Sequence, residues 1–456
     1  MLSKILIANR GEIALRVVRA AKELGLATVA VYSEADKDSL HVRHADESVC
    51  IGPPGSAKSY LNGAAIIAAA RQTGAQAVHP GYGYLAENAR FARDCINAGL
   101  VFIGPRPENL ELAGNKIKAK TLIEPAGVPT VPSSPGPVRS PGEAVAFAKQ
   151  RGYPVMIKAA AGGGGRGIRI CPDENSLMEE FAVAGAEVKA AFGDDALYVE
   201  KCLVNPRHIE FQILADGFGN VIHLGERECS VQRRFQKLIE EAPSPALDPG
   251  LRAAMGQAAV KAARAVDYFN AGTVEFLLDQ EGNFYFIEIN ARIQVEHPVT
   301  EVVTGVDLVK EQIRLAAGGR LDYGFEDLRL RGWAIECRIN AENPDFNFAP
   351  CPGTVEEYRP PGGFGVRLDT HLYQGYELPI YYDSLMAKLI AYDTTRSGAI
   401  LVLRRALQEF IVEPIKTTIP LYLKILDDPA FQNGDIHTGY IKKFVPEDED
   451  DDDDEA

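Results

Sequence analysis

Short apolar runs alternate with amphipathic helical patterns over the first hundred residues, and this rhythm constrains the fold more than any other feature. Lys4–Ala8 is an apolar run. Asn9-Arg10-Gly11-Glu12 turns out of it into a stretch with Ile13, Ala14, Val17, Val18, Ala21 and Leu24 on one helical face, a 3.6-residue period. Gly25 follows, where a helix C-terminus favours glycine. Ala27–Tyr32, Ala75–Val78 and Leu100–Ile103 read as further strands, with a helix over 61–72. Strands joined by crossover helices must run parallel, so the spacing predicts an α/β domain, a parallel sheet covered by helices.

At 456 residues, 46% hydrophobic and 24% charged, the chain is long enough for about three domains, each burying its own core. No apolar run nears the roughly 20 residues that span a bilayer; Ala64–Ala70 is among the longest. The N-terminus shows no signal-peptide pattern. The seven cysteines are scattered, without a Cys-x-x-Cys pair or metal-ligand spacing, which predicts reduced thiols and a cytoplasmic location. Net charge is −15, but the nine acidic residues 447–455 carry nine of those charges and leave −6 for the body. So mild a charge argues against nucleic-acid binding. The acidic run cannot pack, which predicts a disordered, solubilising tail.

Prolines 129, 132, 135, 137 and 141 read as a stiff connector. Beyond them a strand at Tyr153–Lys158, the loop Ala159–Arg166 with four consecutive glycines, and a strand at Gly167–Cys171 follow in order. Consecutive glycines leave backbone N–H groups open to an anion; without Gly-Lys-Ser/Thr and a following helix, this is not a P-loop. Lys158 and Lys116 offer point charges nearby. The 204–445 segment mixes strands with helices expected at 251–266 and 301–317.

Gly272–Asn290 reads as two apolar strands around a turn at Glu281-Gly282. Glu275 and Glu288 are equidistant from that pair, so a symmetric hairpin sets them face to face, with Asn290 on the face of Glu288. Two opposed carboxylates among Phe and Leu repel. A shared proton would offset this; a hard divalent cation bridging to phosphates would also explain Asn290. Downstream, an extended Arg292–His297 would project Arg292, Gln294 and Glu296 together, a set suited to a small oxyanion with a base beside it. Lys237 and Arg338 are further charges in apolar segments.

With these residues in view, the chain resembles the biotin carboxylase family of ATP-grasp enzymes from about residue 2 to 445. The signatures are Ile7-Ala8-Asn9-Arg10-Gly11-Glu12-Ile13-Ala14, His79-Pro80-Gly81-Tyr82-Gly83, the glycine loop, and Glu288-Ile289-Asn290-Ala291-Arg292-Ile293-Gln294-Val295-Glu296-His297-Pro298. The resemblance implies an N-terminal βαβ domain (1–113), a linker and mobile ATP-grasp lid (114–203), a mixed α+β C-terminal domain (204–446) and the tail (447–456). It implies that Lys116, Lys158, Gly164, Gly165 and His208 hold phosphates and ribose, that Glu200, Lys201, Cys202 and Leu203 read adenine, and that Leu277 packs on it. Glu275, Glu288 and Asn290 would bind two Mg²⁺ (or Mn²⁺), Lys237, Arg292, Gln294 and Val295 would seat bicarbonate, and Tyr82 and Arg338 would contact biotin. Glu296 would be the base, with Arg292, Arg338 and Lys237 as its catalytic companions. Related sequences often carry His at the position of Phe235; Phe donates no hydrogen bond, so no nucleotide contact is assigned there.

The implied reaction is ATP-dependent carboxylation of biotin on a separate carrier protein. The partners implied are that carrier and a carboxyltransferase subunit, within a homodimeric enzyme that requires no nucleic acid or membrane. No Met-Lys-Met carrier motif occurs, and Met386-Ala387-Lys388 lies in an apolar strand. Acetyl-CoA is the expected acceptor; a pyruvate or 2-oxo acid carboxylase, a carboxylate–amine ligase and an inert nucleotide-binding assembly subunit are the alternatives.

Overall fold

The computed structural model describes residues 2–159, 169–192 and 197–445. The glycines of the 160–168 loop and the acidic tail lie outside the described residues. Two compact units are present: Met1–Val128 with Arg207–Phe276 and Glu288–Ala456, and Pro129–Pro206 with Leu277–Ile287. Residues 114–128, assigned to the linker and lid from the sequence, belong to the first of these.

In the first unit, β1 (Lys4–Ile7), β2 (Ala27–Tyr32), β3 (Glu47–Cys50), β4 (Ala77–His79) and β5 (Val101–Phe102) form a sheet in the order β3-β2-β1-β4-β5, parallel throughout. The expected parallel α/β sheet is therefore present; β3 was not anticipated, its residues being half-buried or exposed and polar at both Glu47 and Ser48. The first helix runs Gly11–Glu23 and buries Ile13, Ala14, Val17, Val18 and Ala21, the predicted stripe. Arg10 and Asp36 form a two-pronged ion pair at this helix start, Nε to Oδ2 at 2.7 Å and Nη2 to Oδ1 at 2.9 Å, with Asp36 fully buried.

A larger, eight-stranded sheet takes strands from distant parts of the chain. Its order is β13-β12-β9-β10-β11-β14-β19-β18, with β9 (Arg207–Ala215), β10 (Val221–Arg233), β11 (Gln236–Ala242), β12 (Asn270–Leu278), β13 (Phe284–Asn290), β14 (Trp333–Asn340), β18 (Val366–Thr370) and β19 (Leu385–Asp393). Short ribbons pair β15 (Glu342–Asn343) with β16 (Ala349–Pro350) and β17 (Glu357–Arg359) with β20 (Ile411–Glu413). Register matters most at β10 and β11: Val231 lies opposite Ile239, but Gln232 lies opposite Lys237, so Leu238 is an extra residue. Such a bulge moves the following side chains to the other face and puts Lys237 on the same face as Glu240, three positions on. The helix expected over 301–317 is two, His297–Thr304 and Leu308–Ala316. Gly305 ends the first at φ +76, and Asp307 caps the second by accepting from the Lys310 N–H.

The second unit carries the antiparallel sheet β7-β6-β8, from β6 (Val155–Ala159), β7 (Arg169–Cys171) and β8 (Leu197–Lys201). Helices Pro141–Arg151 and Glu174–Phe192 pack on it through Ala144, Phe147, Ala148, Leu177, Phe181 and Ala184. The proline stretch is not a free connector. Ser134 donates to the Val199 carbonyl (2.8 Å), Val138 to Leu197 (2.7 Å), and Lys201 to Pro132 (2.8 Å): proline fixes the extended φ that lets the segment pair along β8.

Burial raises the Asp36 carboxyl, but the hydrogen bonds and charge of Arg10 outweigh it and lower it from 3.8 to about 2. A lowered acid stabilises the fold above its unfolded value and stops doing so as pH falls through the folded value. Asp36→Asn should cost about 3–5 kcal/mol at pH 7, because Arg10 stays buried without its counter-charge. Urea unfolding should show that difference shrinking from pH 4 to pH 2; a pH-independent difference would contradict the pair's role.

Candidate active site

All the side chains of the central cluster belong to the first unit. Along β9, polar His208, Glu210 and Gln212 alternate with apolar Ile209 and Phe211, so the three share one face. Glu210 lies opposite Arg227 of β10. Arg227, fully buried, donates from Nε to Glu210 Oε1 (2.5 Å), from Nη1 to Gln212 (2.8 Å) and Thr300 (3.0 Å), and from Nη2 to Thr273 (3.1 Å) and Gln294 (2.8 Å). One guanidinium thereby ties three strands to the segment before helix His297–Thr304.

The bulge delivers Lys237 into this frame. Its Nζ donates to Glu210 Oε2 (2.5 Å), Glu296 Oε1 (2.7 Å) and Glu275 Oε1 (3.0 Å). Burial alone lowers a lysine; here three carboxylates reverse this and hold Lys237 well above its ordinary value. Glu275 is raised by burial but brought well below its ordinary value by Lys237 and by His208, whose Nε2 lies 2.9 Å from Glu275 Oε2. His208, lowered by burial, is held above its usual value by Glu275. Glu275 Oε1 also accepts from Asn290 (2.8 Å) and Gln294 (2.9 Å).

Glu296 is the second junction. Oε1 accepts from Lys237; Oε2 accepts from Arg338 Nη2 at 3.0 Å. Burial raises it, but Lys237, Arg338 and Arg227 bring it below its ordinary value, so it stands as the anion. Arg338 also donates from Nε to Glu240 Oε1 at 2.6 Å. Arg292 lies at the edge, its Nε 3.0 Å from Glu87 and its Nη2 donating to Asn290 Oδ1 at 3.2 Å. The expected extended run does not persist: residues 295 and 296 turn, and Glu296 stands at the N-cap position, without a side-chain capping bond, of the helix that starts at His297-Pro298. Proline at the first turn of a helix explains the change. Gln294 and Glu296 still converge, through Glu275 and Lys237.

The hairpin carries a correction. Its tip closes from the Asp279 N–H to the Asn283 carbonyl (2.9 Å), centred on Glu281 rather than between Glu281 and Gly282. Gly282 at φ +85 takes the left-handed position that adds the extra residue. The symmetric register that set Glu275 against Glu288 does not hold at the tip. His208, Glu210 and Glu275 bring ligand atoms within 4.8 Å of one another, and Glu288 is half-buried on β13. Carboxylates with an amide oxygen from Asn290 fit a hard divalent cation such as Mg²⁺.

The remaining predicted residues fall in two places. In the second unit, Lys158 on β6 pairs with Glu200 on β8, Lys201 Nζ donates to the carbonyls of Gly152 (3.1 Å) and Tyr153 (2.9 Å), Cys202 is buried, and Leu203 and Leu277 are half-buried. Gly164 and Gly165 lie outside the described residues, as does the side chain of Lys116. In the first unit, the Tyr82 hydroxyl donates to Glu12, and the Val295 carbonyl accepts from Lys388 (2.9 Å). Phe235 sits at the β10–β11 tip, 78% exposed. Sequence reading passed over Glu210, Arg227, Glu240, Glu12 and Lys388. Alternation of polar and apolar residues over 208–212 was the available signal for Glu210.

Three family comparisons cover most of the chain. Residues 1–110 match the biotin carboxylase N-terminal domain, 115–323 the carbamoyl-phosphate synthase L chain ATP-binding domain, and 336–443 the biotin carboxylase C-terminal domain. A biotin carboxylase of Nostoc sp. is 57% identical over 440 residues, 96% of this chain and 98% of that one. The crystal structure of a biotin carboxylase–βγ-ATP complex from Campylobacter jejuni aligns with TM-score 0.91 at 48% identity, over 97% of this chain and 99% of that one. The biotin carboxylase domain dimer of Hydrogenobacter thermophilus 2-oxoglutarate carboxylase, solved with MgADP, ADP and bicarbonate, aligns with TM-score 0.89 at 52% identity, over 97% and 98%.

Burial raises Glu240 from 4.5 to about 7 against the opposing charge of Arg338. Between those values the folded protein holds this proton more tightly than the unfolded chain, so its ionisation removes stability as pH rises. Glu240→Gln should therefore gain about 1–3 kcal/mol relative to the parent between pH 5 and pH 8, read from urea midpoints. A constant offset across that range would show that Glu240 does not titrate there.

Proposed function

The chain belongs to the biotin carboxylase family, and we propose that it uses ATP to join bicarbonate to biotin carried by a separate protein. The observation that carries this reading is the buried row Lys237–Glu296–Arg338, with Gln294 and Arg292 beside it. Two cations flank an anionic base, a set suited to a small oxyanion that can compete for them.

Bicarbonate would be seated by Lys237, Arg292, Gln294 and the Val295 backbone. Paired with Lys237 and Arg338, the Glu296 carboxylate is a weak base. An incoming oxyanion competes for both cations, and as they turn to it Glu296 recovers basicity and takes the bicarbonate proton. The freed oxyanion attacks the γ-phosphorus, ADP leaves, and carboxyphosphate forms. Carboxyphosphate splits to CO₂ and phosphate; phosphate takes the ureido proton of biotin, and Arg338 stabilises the resulting enolate as it attacks CO₂. Tyr82 would hold biotin on the side of Glu12.

The nucleotide reading assigns phosphates and ribose to Lys116, Lys158, Gly164, Gly165 and His208, and adenine to Glu200, Lys201, Cys202, Leu203 and Leu277. Glu275, Glu288 and Asn290 would hold Mg²⁺ (or Mn²⁺), which supplies charge compensation for the phosphates when bound. A carrier protein and a carboxyltransferase would complete the enzyme, with this chain as a homodimer. We propose acetyl-CoA as the final acceptor. A relative named for 2-oxoglutarate shares 52% identity, so the acceptor follows from the transferase, and identifying the biotinylated protein that co-purifies with the chain tests it.

ADP release should require bicarbonate and rise on adding free biotin; stimulation by an amine instead would identify a carboxylate–amine ligase. Glu296→Gln should lower kcat by about 10²–10⁴ with the ATP KM held, and unaltered turnover would remove Glu296 as the base. Glu288→Gln should raise the Mg²⁺ concentration needed for half-maximal turnover, because one anionic ligand is lost; an unchanged Mg²⁺ titration would exclude Glu288 from the metal site.

A further inference from the structure

Lys388 is fully buried in β19, in a segment that reads as an apolar strand. An ammonium in that position is costly unless it is paired and hydrogen-bonded. It has both: Nζ donates to the Val295 carbonyl at 2.9 Å and lies 3.2 Å from Glu12 Oε1. Register places it opposite Arg338 on one side and Asp369 on the other. Asp369 is taken up by Arg367, and Arg338 by Glu240 and Glu296; buried Glu336 also feels the charge of Lys388, and among the described residues Glu12 is the carboxylate within ion-pair distance of Nζ. Glu12 accepts the Tyr82 hydroxyl, and the Tyr82 ring centre is 5.9 Å from Nζ.

We propose that Lys388 is a positioning residue that couples the bicarbonate and biotin subsites, fixing the Val295–Glu296 peptide with one contact and, through Glu12, the Tyr82 hydroxyl with the other. The peptide unit is planar, so the carbonyl that Lys388 holds sets the direction of the Glu296 N–H and the point from which the Glu296 side chain departs. Burial keeps water from substituting for either contact. The same ammonium therefore serves the base on one side and the phenol on the other. This rests on the roles assigned above to Val295, Glu296 and Tyr82.

The test is steady-state kinetics on the full-length protein with ATP, bicarbonate and free biotin. Lys388→Met should raise KM for bicarbonate and for biotin, each by about tenfold or more, while the ATP KM stays within twofold. Glu12→Gln should raise the biotin KM alone, because the Val295 contact survives. A split of this kind is not produced by general loosening, which would move the ATP KM as well. Lys388→Met folded as the parent by circular dichroism, with both KM values unmoved, would overturn the proposal. Should Lys388→Met fail to fold, Glu12→Gln decides: a biotin KM unmoved, or a bicarbonate KM moved equally, overturns it. A parent protein without bicarbonate-dependent, biotin-stimulated ADP release refutes the function proposed above and this inference with it; an active parent with unresponsive variants refutes the inference alone.

Discussion

One buried ammonium organises the centre of this protein. Lys237 touches Glu210, Glu275 and Glu296 at once, and each of those acids would be hard to ionise in its surroundings without a cation. Arg227 braces Glu210 from behind, Gln294 and Asn290 satisfy Glu275, and Arg338 takes the far side of Glu296. Buried ion pairs of this kind contribute little net stability over an apolar core. On the proposed function their retention is explained by chemistry: the set holds a carboxylate anionic and directed beside cations that an oxyanion would recruit.

The frame that makes this possible is the eight-stranded sheet. Its strands come from residues 207–290 and 333–393, so the cluster joins side chains distant in sequence. The extra residue at Leu238 is the critical local device, because a regular β11 would turn Lys237 and Glu240 to opposite faces. The turn at Val295–Glu296 plays the same part on the other wall, ending an extended segment and starting a helix so that Gln294 and Glu296 reach different partners.

Local periodicity carried much of the fold. The stripe of Ile13, Val17 and Val18 follows from the 3.6-residue spacing, and the Ala27–Tyr32 strand and the parallel sheet follow from short apolar runs, buried on both faces, that alternate with helices. Local rules failed where tertiary contacts compete with them. The proline stretch pairs with β8 because an open edge was available; β3 is recruited at a sheet edge although its composition is polar; the hairpin tip adopted a glycine bulge that a symmetric count does not foresee.

The same division holds at the site. Residue types and their order were enough to bring Glu275, Asn290, Arg292, Gln294 and Glu296 forward as candidates for a base, cations and oxygen ligands, because such a reading depends on which groups lie in one short segment. Which cation meets which anion was decided only in three dimensions. Arg227 and Lys388 gave no local sign of their roles, since a charge in an apolar strand looks the same whether it faces solvent or a partner on another strand. Pairing energies of buried charges depend on distances of 2.5–3.2 Å, and those distances are set by strand register, bulges and turns.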